Sequence, residues 1–165
     1  MTETIASFLD YYGKIRGRTN RLLKGIRPEH LDFAYKPGKF TVADQIRHIA
    51  AIERYMFVET LVGRKSAYHG CGKELADGFQ NVMDLFNRLH TESLEIIGSL
   101  RDEDLRDTCL TPANARISRQ KWLMLLAEHE IHHRAELYIY LNLLNERTPP
   151  MYGLTAEEVQ ELSES

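Results

Sequence analysis

Four stretches of this chain repeat apolar residues at intervals of three and four, and no stretch convincingly alternates at the two-residue period of a strand. That periodicity predicts four long amphipathic helices. The first runs from about Glu3 to Leu23, with Thr2 as its cap and Ile5, Phe8, Leu9, Tyr12, Ile15, Leu22 and Leu23 along one side. The second opens at Thr41, where Thr41-Val42-Ala43-Asp44 has the spacing of a capping box, and runs to about Val62 before Gly63. A third is predicted from about Glu74 to Leu100 and a fourth from Ser118 as cap to about Asn145. A short helix beginning near Thr155 is expected in the tail.

Helices without strands, repeats or low-complexity segments predict an all-α four-helix bundle in one domain covering residues 1–165. The first connection, Gly25 to Phe40, is long and holds Pro28, Pro37 and Gly38. It predicts a short helical turn lying across one end of the bundle, and it leaves the helix order open. Cys71 and Cys109 fall in predicted loops and read as free thiols in a reducing compartment. Several function classes are disfavoured. A net charge of −3 with mixed signs gives no basic footprint for nucleic acid or anionic lipid. No apolar run approaches the roughly 18–20 residues of a membrane span. The acids Glu3 and Asp10 stand where a signal peptide needs basic residues, so the expected location is the cytoplasm.

The chemistry lies in Glu128-His129-Glu130-Ile131-His132-His133. His129 and His133 are four apart, one turn above each other and roughly 40° apart around the axis. Trp122, His129, Glu136 and Leu143 form one heptad line, and Leu126, His133 and Tyr140 the next. Both histidines therefore belong to the stripe that points inward, while His132 falls toward solvent. The second helix offers His48 beside the stripe of Ile46, Ile49 and Met56. Three neutral imidazoles with a position left open suit a catalytic rather than a structural metal, and the open position would take a water whose pKa falls towards about 7. The competing reading is three core histidines, each satisfied by a hydrogen bond. His30, His69 and His90 have no such partners and take that plainer reading.

Residues 129–133 also match H-E-x-x-H, the zinc-binding helix of metalloproteases, with Glu130 as its base. A five-residue match arises by chance, and no downstream ligand signature accompanies it. Glu130 lies about 100° from His129 on the wheel, whereas Glu136 falls closer to the histidine face.

Two segments give the chain a family likeness. Tyr35-Lys36-Pro37-Gly38-Lys39-Phe40-Thr41, followed by a helix bearing His48, and His129-x-x-x-His133-Arg134 resemble the DinB/YfiT-like family of metal-binding four-helix proteins. The tail Pro149-Pro150-Met151-Tyr152-Gly153 is similar too, so the likeness covers nearly the whole chain. The resemblance implies His48, His129 and His133 as ligands of a divalent ion, zinc or nickel foremost, with Arg134 following the last ligand. It also implies a homodimer. The sequence departs from the family pattern after Arg134, with Ala135-Glu136 in place of Gly-Gln. Relatives include thiol S-transferases using bacillithiol or mycothiol. The expectation is therefore a metal-dependent S-transferase acting on a small electrophile with a low-molecular-weight thiol as cosubstrate. The alternatives are a metal-dependent hydrolase using Glu130 or Glu136 as base, and a non-catalytic stress-response or binding module whose metal serves the fold.

Overall fold

The computed structural model describes residues 3–164. Helix α1 spans Ile5–Leu23; its cap is Thr4, whose hydroxyl accepts from the Ser7 N–H while Ser7 reaches back to the Thr4 N–H. The expected cap Thr2 lies outside the described residues. Helix α2 spans Val42–Ile52 and opens on the Thr41/Asp44 capping box. It continues as a π-helical segment, Glu53–Val58, and a last α turn, Glu59–Leu61. Helix α3 spans Phe79–Gly98, α4 Arg119–Leu143 and α5 Ala156–Glu164. Helix α5 is the short tail helix expected near Thr155, and Thr155 and Glu158 cap it reciprocally.

Three expectations are corrected. The third helix begins five residues later than Glu74, because Gly78 sits at φ +82° and turns the chain into Phe79. The second helix is not uniformly α. The chain also contains strands: β1 (Thr108–Leu110) and β2 (Arg116–Ser118) pair antiparallel, Cys109 opposite Ile117. Each strand has only three residues, too short to display an alternation. Cys109 therefore lies in a strand. Both cysteines are free, and both are buried.

Helix α1 packs against α3 and α4, and α2 packs against the same two. Consecutive helices α1 and α2 thus take opposite corners. The Gly25–Phe40 connection makes that possible by crossing the end of the bundle, with a 3-10 turn at Pro28–His30. Leu31 is buried there, and Phe33 meets the Tyr140 ring edge-on. No helix among the described residues is long and apolar enough to cross a membrane.

The apolar core falls into two clusters. One gathers Leu22, Ile46, Phe86 and Leu137 near the crossing connection; the other gathers Phe8, Ile15, Leu61, Ile97 and Trp122. Each such side chain contributes roughly 1.5–3 kcal/mol on burial. A layer of buried charge also lies within the bundle. Arg16 of α1 is 3% exposed and reaches Glu53, across the bundle, and Glu130 of α4, at 3.0 Å. Thr19 donates to Glu130 at 2.6 Å, and His90 Nδ1 lies 2.8 Å from Glu53. The guanidinium also stacks 4.1 Å from the centre of the Phe86 ring. Burial alone would raise the Glu53 carboxyl, but Arg16 and His90 hold it below its usual range.

Such a network tolerates the loss of a member poorly, since the remaining charge has no water to turn to. Glu130→Ala is expected to lower the unfolding free energy by about 3–5 kcal/mol, read from urea denaturation followed by circular dichroism. An unchanged midpoint would mean that Glu130 has no part in holding the bundle.

Candidate metal centre

Helix α4 distributes its polar residues by 100° steps. His129 and His133 face α2, while Glu130 and Arg134 turn toward α1, where both are buried. Arg134 Nη1 donates to the Ile15 carbonyl at 3.1 Å and ties α4 to α1. Helix α2, in the adjacent corner, presents His48 to the histidine pair.

The three imidazoles converge: one ring nitrogen from each of His48, His129 and His133 lies within 4.8 Å of the others. His48 Nε2 and His129 Nε2 are 3.2 Å apart. Two nitrogens bound to one tetrahedral ion at about 2.0–2.1 Å stand about 3.3 Å apart, so this spacing already suits a shared ion.

The far sides of two of the rings are held in place. His133 Nδ1 meets Gln45 Oε1 at 2.7 Å and Glu136 Oε2 at 2.8 Å. Both partners accept, so the proton sits on Nδ1 and the lone pair on Nε2 is free. Gln45 Nε2 in turn donates to Glu136 Oε2 at 2.7 Å. His48 Nδ1 lies 2.9 Å from the Tyr68 hydroxyl, and Phe40 tilts over the same ring at 5.2 Å between centroids. His129 Nδ1 is buried with no hydrogen-bond partner. Carboxylate or hydroxyl groups behind a ring are the usual outer supports of a metal-binding imidazole.

Electrostatics keep the rings neutral. Burial, reinforced by His133, lowers the His48 pKa to about 4. Burial, then His133 and His48, lowers His129 to about 3. His133 is also lowered by burial, against the opposing pull of Glu136. Packing three imidazoles together disfavours protonating any of them, and neutral imidazole is the form that binds a metal.

The other candidates resolve clearly. His132 is largely exposed; it lies 3.5 Å from Glu136 and meets the His133 ring edge-on at 4.9 Å, on the outer side of the three converging rings. His69 is exposed, His90 serves the buried charge layer, and His30 Nδ1 accepts from the Arg27 N–H. Glu130 is engaged with Arg16 and Thr19 on the far side of α4, so the H-E-x-x-H match does not describe this site. Glu136 stands at the site, as its heptad line predicts. Sequence reasoning missed Gln45 and Tyr68. Gln45 had a signal, one turn before His48 on the same face. Tyr68 had none, because it arrives on the loop after α2.

That loop is placed by the π-helical segment. Its widened turn leaves carbonyls free for outside partners: Tyr55 O accepts from Ala67 N at 2.7 Å, and Phe57 O accepts from Trp122 Nε1 at 3.2 Å. The first bond sets Tyr68 against His48. The second seats Trp122, one heptad before His129, against Phe57.

Known proteins share this architecture. The chain is 26% identical over 156 residues to the uncharacterized protein YjoA of Bacillus subtilis (strain 168), covering 91% of this chain and 94% of that one. The crystal structure of YjoA superposes with a TM-score of 0.70 at 17% identity, over 90% of this chain and 99% of that one. A DinB-like protein from Bacillus cereus ATCC 10987 gives 0.73 at 18% identity, over 91% and 99%. YfiT from Bacillus subtilis, described as a probable metal-dependent hydrolase with an unusual four-helix bundle topology, gives 0.63 at 17% identity, over 85% and 89%. The family model of the DinB superfamily matches residues 11–137, a span that contains all three converging histidines. This chain belongs to the DinB superfamily.

Proposed function

We propose that this protein is a metal-dependent enzyme acting on small molecules, with a divalent ion held by His48, His129 and His133. The observation that carries this reading is the convergence of three neutral imidazoles whose outer nitrogens are supported on two of the rings. The donor set fits zinc or nickel. It is less suited to calcium or magnesium, which prefer oxygen. When bound, the ion supplies Lewis acidity to a nucleophile on the side the histidines leave open.

The reaction that best fits is transfer of a low-molecular-weight thiol to an electrophile. Glu130 is committed to Arg16, and the Glu136 oxygen nearest the histidines already accepts from His133 and Gln45. The chain therefore offers little general-base assistance. A thiol, with a pKa of about 8.5, needs far less help to ionise than water at about 15.7. His133, Gln45 and Glu136 then act as an orienting chain, and Tyr68 fixes the ring plane of His48. Hydrolysis is the second reading. It is favoured by the description of YfiT and by Glu136, the carboxylate that stands at the site.

Mass spectrometry of the purified protein is expected to find close to one zinc or nickel per chain, and a His48→Ala/His133→Ala variant is expected to lose it. Absence of metal after incubation with either ion would return the histidines to the core. Bacillithiol with a model electrophile should show metal-dependent turnover that survives Glu136→Ala within about tenfold. Ester hydrolysis abolished by that substitution would instead select the hydrolase.

Acid should destabilise the metal-free protein before its carboxylates titrate. The folded pKa values of His48 and His129 lie at about 4 and about 3, below the ordinary value of 6.5. The unfolded chain therefore binds more protons as pH falls below 6.5, and stability drops progressively toward the folded values. Thermal melts of the metal-free protein between pH 7 and pH 5 should show this decline, and His129→Leu should flatten it. A melting temperature independent of pH in that window would contradict the burial of neutral rings.

A further inference from the structure

Away from the histidines, a cleft of about 630 Å³ opens between the loop that follows α2 and the β1–β2 hairpin. Arg64, Lys65 and Arg116 line it together with the hydroxyl-bearing Ser66, Thr108 and Thr111, and none of its lining residues is acidic. In a chain of net charge −3 that is a local reversal of sign. We propose that this cleft binds a small organic anion through its phosphate or paired carboxylates.

The cationic groups are mounted on hydrogen-bonded frames. The bond from Ala67 N to Tyr55 O holds the strand of chain that carries Arg64 and Lys65. On the other wall the strand pairing Leu110 with Arg116 sets the base of the Arg116 side chain, and its Nη1 donates to Thr108 Oγ1 at 3.2 Å. At the hairpin turn, Thr111 N donates to Ala115 O at 2.9 Å and Asn114 takes φ +59°.

One of the three cations, Arg64, is paired to an acid outside the lining, while Lys65 and Arg116 have no ion-pair partner among the described residues. Glu59 lies 3.3 Å from Arg64 but also holds Arg54, and Asp107 lies 3.6 Å from Arg119. Lys65 is exposed. Two guanidinium groups and an ammonium around hydroxyl donors match the fork geometry and charge of an oxyanion. The volume lies within the range of about 300–1,000 Å³ of small-molecule sites. Cys109, which also lines the cleft, is buried, and burial pushes its thiol pKa up.

The loop that forms one wall continues to Tyr68 at His48. The cleft is nonetheless independent of the metal reading, since none of its lining residues is one of the three histidines. Titration of the nitrogen-15-labelled protein with inorganic phosphate, and separately with succinate, tests the proposal by amide chemical shifts. Saturable shifts at residues 63–66 and 108–116 are expected, from phosphate alone if the site takes phosphate esters and from succinate if it takes dicarboxylates. Lys65→Glu, a change at an exposed side chain, should weaken binding at least about fivefold, as should Arg116→Gln. His48→Ala/His133→Ala should leave affinity unchanged. Shifts reproduced by sodium chloride at equal ionic strength, or undiminished in Lys65→Glu, would overturn the proposal.

Discussion

The Arg16 guanidinium, sealed in the bundle between Glu53 and Glu130, is the interaction on which the rest of this structure depends. It joins α1 to both of the helices that carry the histidines. Burying three charges is costly, and the arrangement holds only because each charged group finds partners: Thr19 on Glu130, His90 on Glu53, and Phe86 under the guanidinium. That mutual dependence sets the rotation of α2 and α4 about their own axes. An apolar stripe tolerates slippage by part of a turn; a buried ion pair does not.

The rotation of α4 then determines which groups meet the histidine cluster. His129 and Glu130 are neighbours in sequence and about 100° apart in space, so fixing one toward Arg16 fixes the other toward α2. Arg134 repeats the logic one turn on, bonding to the Ile15 carbonyl while His133 faces Gln45 and Glu136. One helix thus separates the face that joins the buried charge layer from the face that carries the histidines, without a break in its backbone.

On α2 the division is longitudinal. The α-helical part brings Gln45 and His48 to the site. The π-helical part that follows turns Glu53 into the buried layer and frees the Tyr55 and Phe57 carbonyls. Through those carbonyls the segment positions both Tyr68, behind His48, and Trp122, one heptad before His129. The imidazole cluster is therefore supported by residues scattered over the chain, which are brought together by a local irregularity of one helix.

Much of this was legible in the sequence. Periodicity predicts the four bundle helices, the Thr41 and Ser118 caps and the tail helix, because amphipathic spacing and capping are local properties of the chain. The i, i+4 spacing and the heptad line put His129, His133 and Glu136 on one face, since helix geometry alone dictates that. Other features required the tertiary structure. The three-residue strands are too short to carry a period, and the late start of α3 depends on the backbone of Gly78. The π-helical turn is stabilised by partners up to 65 residues away. Nothing local announces that α1 and α2 occupy opposite corners. Most decisively, Glu130 fits a catalytic motif by its neighbours in sequence but is a structural residue by its neighbours in space. Spacing along a helix defines the direction in which a side chain points, and only packing decides what lies there.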